Sequence, residues 1–363
     1  MKKSTPATKL RKLALIIPAH NEELAIASTI RSAMGAGQAK SDIYVVDDNS
    51  TDQTYHIASQ ILGADHVLKV KRSGKAVAIQ KVVATYDLVR RYEWIHISDA
   101  DGVFGEQYFT IFKRKLNRKY AAACGHVQSL PGGWVSKYRI FEYTIGLEIM
   151  RRIQNWLGTI TVIPGPTSCF RSDIFPHLEF SNDSMTEDFD ATIQIHRKKL
   201  GKIGYFPEAK SYTQDPKDYT DFVNQVSRWY RGFFQVARKH KIGFRTQKVD
   251  AYIMYMNITT VLFTLQLIAV LALAGLSQNG LFVLSVYILS DVFFTALWVT
   301  FAAALNKRWD IFSAFPLFYV LRFTNLYIFY KAFVEVVILK KFNTVKPGWD
   351  TAGRRYRIQT EQN

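Results

Sequence analysis

Between Tyr252 and Leu276 the chain carries no charged residue. After the short link Ser277–Gly280, a second apolar run, Leu281–Leu305, carries a single acid, Asp291. A helix crosses a bilayer with about 20 apolar residues, and both runs are long enough. Burial in a soluble core would need other apolar segments of similar length, and the sequence offers none for the pair. The expectation is a helical hairpin in a membrane. The uncharged link belongs outside, and the next loop, Asn306–Asp310, with Lys307 and Arg308, belongs inside. Asp291 is expensive at membrane depth and needs a polar partner or a polar lumen. Phe312–Leu339 contains Pro316, Arg322, Lys331 and Glu335 and admits two arrangements. Basic residues at both of its ends favour a membrane-surface or re-entrant segment. A third crossing is the alternative, and it would put the basic C-terminus outside.

Charge supports the same location. Lys and Arg number 47 against 30 Asp and Glu, a formal net charge of +17. Basic clusters lie at Lys2–Lys12, Arg238–Lys248, Lys307–Arg308 and Lys340–Arg357, and the last three flank apolar segments. That pattern fits the cytoplasmic face of a membrane rather than nucleic acid, for which no motif is visible. Cys124 and Cys169, the two cysteines, fit a reducing compartment. The basic N-terminal run is not followed by an apolar stretch of signal-peptide length, so the first part of the chain is expected in the cytosol.

The first 250 residues alternate short apolar runs with helical patterns. Strands are expected at Leu13–Pro18, Ile43–Val46, His66–Val70 and Trp94–Ser98, and helices at Glu22–Met34, Asp52–Leu62 and Gly74–Arg91. This is the signature of an α/β domain with a mostly parallel sheet covered on both faces, whose ligands bind at the carboxyl ends of the strands. Trp134–Leu157 reads as a long aromatic amphipathic helix, at the surface or lying in the membrane interface, with Lys137, Arg139, Arg151 and Arg152.

Acids collect at the strand ends. "ISDADGVF" (97–104) closes one strand with Asp99 and Asp101. Two carboxylates so close repel each other unless a cation lies between them or one is protonated. A hard divalent cation gripping a diphosphate would satisfy both. "VVDDNSTD" (45–52) ends another strand with Asp47 and Asp48, followed by Asx-turn and capping chemistry. "LIIPAHNEE" (15–23) is a strand, a turn and two acids opening a helix, and "RSGKAVAI" (72–79) puts Gly74 and Lys75 at a helix start. "SMTEDFD" (184–190) reads as a capping box, with Ser184 as N-cap and Glu187 at N3. This leaves Asp188 in the first turn, where a carboxylate can act as a general base. In "QVSRW" (225–229), Gln225, Arg228 and Trp229 fall at i, i+3 and i+4 and share one helix face.

Taken in order, P-A-H-N-E, D-D-x-S, G-K, D-x-D, T-E-D and Q-x-x-R-W closely resemble the family 2 inverting glycosyltransferases. The similarity is strongest to the membrane-embedded processive branch: hyaluronan, chitin, cellulose and poly-N-acetylglucosamine synthases. It implies a GT-A-type nucleotide-sugar domain over residues 1–218 and an interfacial amphipathic region over 219–250. A membrane region over 251–340 and a basic tail over 341–363 follow. It implies that Asp48 reads the uracil ring with Asp47 beside it, that Ala19 and Glu22 line the nucleotide pocket, and that Lys75 lies near the nucleotide. Asp99 and Asp101 would hold Mg²⁺ or Mn²⁺, Asp101 as the direct ligand and Asp99 shared with the ribose side. Asp188 would be the catalytic base, next to Glu187. Gln225, Arg228 and Trp229 would bind the diphosphate and the acceptor sugar. "IPGPTSCFRSDIF" (163–175) resembles the acceptor entrance, with Gly165, Pro166 and Cys169 near the acceptor. "VKPGWDTAGRR" (345–355) resembles a gating loop, with Trp349, Thr351 and Arg354 closing over the nucleotide. Such a loop must return to the cytosol, which favours an even number of crossings.

The activity implied is hexosyl transfer from a UDP-sugar, of the UDP-GlcNAc or UDP-glucose class, into a β-linked polysaccharide built processively. The alternative is a single transfer to a membrane lipid: a polyprenyl phosphate, a diacylglycerol or a ceramide. Two clear spans are fewer than the large synthases use to build a channel, so secretion would call on a second copy or an accessory channel protein.

Overall fold

The computed structural model describes residues 11–341. Its centre is an eight-stranded sheet: β1 (Leu13–Ala19), β2 (Ile43–Asp47), β3 (Val67–Lys69), β4 (Trp94–Ile97), β5 (Val103–Phe104), β6 (Tyr120–Ser129), β7 (Ser168–Arg171) and β8 (Lys202–Thr213). The order across the sheet is β3-β2-β1-β4-β7-β6-β8-β5. β3, β2, β1 and β4 run parallel, β7 runs antiparallel to β4 and β6, β8 is parallel to β6, and β5 is antiparallel to β8. Every residue of β1 and β2 is buried. Their side chains alternate between two cores, as a strand's twofold period requires. Ala14, Ile16, Tyr44 and Val46 face one core, while Leu13, Leu15, Ile17, Ile43 and Val45 face the other.

Helices α1 (Ile26–Gly35), α2 (Thr54–Leu62), α3 (Lys75–Thr85), α4 (Leu88–Arg91) and α5 (Tyr108–Lys115) cover the sheet. The single helix expected over Gly74–Arg91 is therefore two. Asp87 sits in the left-handed region at φ 48° and interrupts it, a conformation that a short polar side chain tolerates better than most. The mostly parallel α/β expectation holds otherwise.

α6 (Trp134–Tyr143) and α7 (Arg151–Leu157) form one continuous rod through the π-helical turn Thr144–Met150. The four basic residues of this rod do not share a surface. Arg139 and Arg151 are buried at 2% and 6% exposure. The π turn shifts the angular phase of the helix, so a regular amphipathic reading misplaces the residues beyond it.

α8 (Glu187–Arg197) and α9 (Tyr219–Lys239) complete the α/β domain, and α10 (Lys248–Leu276), α11 (Gly280–Asn306) and α12 (Phe315–Phe333) follow. Three segments are long and apolar enough to cross a membrane: Lys248–Leu276, Gly280–Asn306 and Trp309–Ile338. In the first two, none of the most apolar window is buried against protein, whereas in the third 33% is. That third segment lies against the α/β domain along its length. Phe318 meets Tyr138 and Phe141 of α6, Tyr219 bonds Thr324, Arg231 pairs with Glu335, and Arg238 donates to the Val336 carbonyl. Asp291 of α11 finds its polar partner here: Arg322 of α12 binds it through two nitrogens, at 3.1 and 2.7 Å.

Candidate active site

The carboxyl ends of the parallel strands deliver the acids to one edge, as the topology dictates. A cavity of about 550 Å³ opens there, lined by Lys75, Asp99, Asp101, Gly165, Pro166, Glu187, Asp188, Gln225, Arg228 and Trp229. Ten of the residues singled out in the sequence thus meet, although they come from positions 75 to 229.

Lys75, the first residue of α3, is the electrostatic hub. Its Nζ lies 2.6 Å from Asp99 Oδ1 and 2.7 Å from Glu187 Oε1. Burial alone would lower the Lys75 ammonium, but Asp99, Glu187 and Asp188 outweigh it and hold the group above the ordinary lysine range. In this state the cation on the D-x-D end is therefore a lysine, paired with Asp99 and shared with Glu187. Gly165 packs closely on this pair: a Cβ there would stand 3.0 Å from Lys75 Nζ and 3.4 Å from Asp99 Oδ2.

Asp188 stands in the first turn of α8, where Gly165 N–H donates to its Oδ2 at 3.0 Å and Phe189 N–H to its Oδ1 at 2.8 Å. Burial, with the Glu187 charge adding to it, pushes the Asp188 carboxyl up to about 6 despite Lys75. The capping box does not form. Thr186 is the N-cap, α8 starts at Glu187, and Ser184 bonds the Thr186 backbone instead. Glu187 is turned to Lys75, because a charge-assisted bond to a buried ammonium outweighs a cap.

Other expected residues lie beside the cavity. Asp48 follows β2 with its carboxylate committed to the G-K turn, accepting from Ser73 N–H at 2.7 Å and Gly74 N–H at 2.9 Å. This bond ties the β2 end to the start of α3 and so places Lys75. Asp47 is fully buried and accepts from Ser50 N–H. Ala19 and Glu22 are buried at the end of β1 and in the turn after it. Cys169 does not reach the cavity. It is fully buried in β7, paired with His96 of β4 in the sheet's core. The Gly-Pro turn just before β7 reaches the site, but the alternation of that strand turns Cys169 away. Trp349, Thr351 and Arg354 lie outside the described residues.

Among the cavity residues without a counterpart in the sequence reading are two titratable groups set deep in the fold. Tyr143, at the end of α6, and Asp215, after β8, both line the wall. Asp215 is 5% exposed, and its Oδ2 has no hydrogen-bond partner among the described residues. Burial pushes its carboxyl up to about 7, with Ser129, Arg139 and Ser136 acting the other way. An acid directly before Pro216, just past a strand end, was the available signal. A carboxyl held above its unfolded value binds its proton more tightly in the folded chain, so its ionised form opposes folding. That penalty is present in full above about 7 and vanishes below the unfolded value near 4. Asp215→Asn is therefore expected to raise the thermal midpoint at pH 8 and leave it unchanged near pH 4, as melting curves at the two pH values would show.

Comparison with known proteins agrees with the geometry. A family profile described as "Glycosyltransferase like family 2" matches residues 11–232, from the start of β1 past Trp229. A poly-beta-1,6-N-acetyl-D-glucosamine synthase of Staphylococcus epidermidis is 23% identical over 355 residues, covering 93% of this chain and 85% of that one. Hyaluronan synthase 2 of Xenopus laevis is 22% identical over 370 residues; the match covers 95% of this chain but 64% of that protein's length. Among solved structures, a mannosyltransferase from Pyrobaculum calidifontis, in complex with GDP-Man and Mn²⁺, superposes with a TM-score of 0.59 at 16% identity, covering 84% of this chain and 88% of that one. The profile spans the whole sheet and every residue of the acid-lined cavity up to Trp229, and the chain belongs to glycosyltransferase family 2, with a GT-A-like α/β domain.

Proposed function

We propose that this enzyme transfers a hexose from a UDP-sugar, of the UDP-GlcNAc or UDP-glucose class, to a growing glycan, with inversion to a β linkage, and that it elongates processively. The observation that carries the reading is the convergence of Asp188, the Asp99/Asp101 end and the Gln225–Arg228–Trp229 face on one cavity. The polymer synthases among its relatives support it.

In this mechanism the acceptor hydroxyl gives its proton to Asp188, whose carboxylate is aimed by the Gly165 and Phe189 N–H groups. The oxygen attacks the anomeric carbon from the face opposite the diphosphate, and the bond to the diphosphate oxygen breaks. Arg228 balances the charge on the departing UDP. Trp229 offers its indole as a platform for the acceptor sugar, with Gly165 and Pro166 at its entrance. Asp47, Asp48, Ala19 and Glu22 form the nucleobase end.

Among the described residues, no cluster of three or more His, Cys, Asp or Glu could hold a metal alone. Two carboxylates completed by diphosphate oxygens do suit Mg²⁺ or Mn²⁺, so Asp99 and Asp101 fit such an ion. When bound, it would neutralise the charge of the diphosphate.

In this reading the domain lies at the cytosolic membrane face, anchored by the α10–α11 hairpin. The contacts of α12 with the α/β domain from Phe318 to Val336 support a surface or re-entrant third segment. Export of a polymer would then need a second copy or a channel protein. One observation favours a lipid acceptor as a second reading: the cavity is also lined by Ile253, Met256, Asn257 and Thr260 of α10 and Phe329 of α12. The membrane helices thus contribute a wall that is largely apolar.

Two outcomes follow. A base that must be ionised gives kcat/KM that falls as pH drops below about 6, roughly tenfold per unit; a pH–rate profile on saturating metal checks it. Purified protein should release UDP from at least one UDP-sugar with Mg²⁺ or Mn²⁺ and stop on chelation. Release confined to GDP-mannose, or indifferent to chelator, would refute the donor and metal assignments.

A further inference from the structure

Gln225 and Trp229 are held from behind by a residue that does not line the cavity. Arg139 of α6 donates from Nη2 to Gln225 Oε1 at 2.7 Å. The same guanidinium lies 4.7 Å from the centre of the Trp229 indole and 4.6 Å from the Phe222 ring. Arg139 is 2% exposed, and a cation so buried persists only with a nearby anion. Glu142, one turn on, supplies it, with Arg139 Nη1 2.5 Å from Glu142 Oε2.

The second oxygen of Glu142 is also taken. Asn325 Nδ2 lies 3.0 Å from Glu142 Oε1 and 3.1 Å from the Tyr138 hydroxyl. Asn325 belongs to α12, after the hairpin and 183 positions from Glu142. An asparagine in a membrane-sized apolar segment is costly unless it is bonded, and these two bonds account for it. A continuous polar chain thus runs from α12 through Glu142 and Arg139 to two side chains of the cavity wall.

We propose that Asn325 is a positioning residue for Gln225 and Trp229, acting through Glu142 and Arg139, so that the segment after the hairpin completes the acceptor face of the site. This rests on the reading of Trp229 as the acceptor platform. Without the Asn325 bond, one Glu142 oxygen loses its donor from α12, and Glu142 and Arg139 are free to turn together. The indole then loses its fixed support while the donor end, built on Lys75, Asp99 and Asp101, is untouched.

The test uses the full chain in lipid nanodiscs with Asn325→Leu and Asn325→Ser. With the UDP-sugar that the wild type turns over best, Asn325→Leu should lower sugar incorporation about tenfold, the weight of one hydrogen bond to a charged group. UDP affinity should fall far less than incorporation, since of this polar chain only Gln225 bears on the diphosphate, and the thermal midpoint should fall by no more than a few degrees. Asn325→Ser, which keeps a hydroxyl donor, should recover most of the loss. A readout independent of turnover is acrylamide quenching of Trp229, taken as the difference between each protein and its Trp229→Phe counterpart. It should increase in Asn325→Leu. Unchanged quenching, or incorporation lost together with UDP affinity and midpoint, would overturn the positioning role. A wild type that transfers no sugar while the quenching still shifts would instead overturn the functional reading and leave the mechanical link standing.

Discussion

Asp188→Asn is expected to lower kcat by about 10²- to 10⁴-fold, the range over which a positioned general base acts, while UDP affinity changes little. The amide is nearly isosteric, and its one oxygen can still accept from one of the two N–H groups, Gly165 or Phe189, that the carboxylate binds through separate oxygens, so the site loses one bond and keeps its shape. What the amide cannot do is take a proton from the acceptor hydroxyl. Burial and Glu187 raise the Asp188 carboxyl to about 6, so its ionised form opposes folding at neutral pH; removing that charge offsets the lost bond, and the thermal midpoint should change little. A large kinetic loss with little change in thermal stability separates a chemical role from a structural one. Steady-state UDP release, calorimetry with UDP and a melting curve on the same preparation give all three quantities.

The second large effect concerns the joint between the catalytic domain and the membrane hairpin. Arg197, in the last turn of α8, grips Asp250, in the first turn of α10, through two bonds of 2.7 and 2.6 Å. Asp250 is 1% exposed. Asp250→Ala leaves a largely buried guanidinium without its anion, which costs about 3–5 kcal/mol. In a chain of this size that corresponds to a fall of roughly 5 °C in the thermal midpoint. Because α8 begins with Glu187 and Asp188, the same change should loosen the base. The double variant Arg197→Met/Asp250→Leu removes both charges and should recover most of the midpoint. Recovery would identify the loss as an uncompensated charge; its absence would mean that the Gln247 and His240 carbonyl contacts of Arg197 matter more than the ion pair.

Much of this architecture was legible in the chain because it depends on local pattern. The uncharged run Tyr252–Leu276 admits few fates, and the strands that end in Asp47–Asp48 and Asp99–Asp101 place their acids at the ligand-binding edge of any parallel sheet. The partners of those acids were harder to read. Lys75 lies 24 positions from Asp99, and nothing local says that it reaches Glu187 as well. A helix-start lysine looks the same whether it is solvated or buried among carboxylates. Capping is a local rule and assigns Glu187 to a cap, whereas the fold gives it a tertiary ion pair with Lys75.

Arg151 shows a different limit. In a helix of constant pitch, facing follows from spacing, but the π turn at Thr144–Met150 resets the phase, and Arg151 just beyond it is buried. Arg139 precedes the turn and, two residues after Lys137, falls on the opposite face even of a regular helix. Cys169 failed for the opposite reason: a strict twofold alternation in β7 buried it, although its neighbours in the Gly-Pro turn reach the cavity. Asp291 was visibly anomalous in its apolar run, yet its partner Arg322 lies on a different helix, beyond the next loop, and only packing reveals it.

The most direct test of the central claim is the size of the product made by the purified, lipid-embedded protein from a labelled UDP-sugar. The account predicts a ladder or high-molecular-weight polymer that requires Mg²⁺ or Mn²⁺ and disappears with Asp188→Asn. A product that stops at one added sugar would contradict processive elongation, and a polymer undiminished in Asp188→Asn would contradict the placement of the chemistry in this cavity.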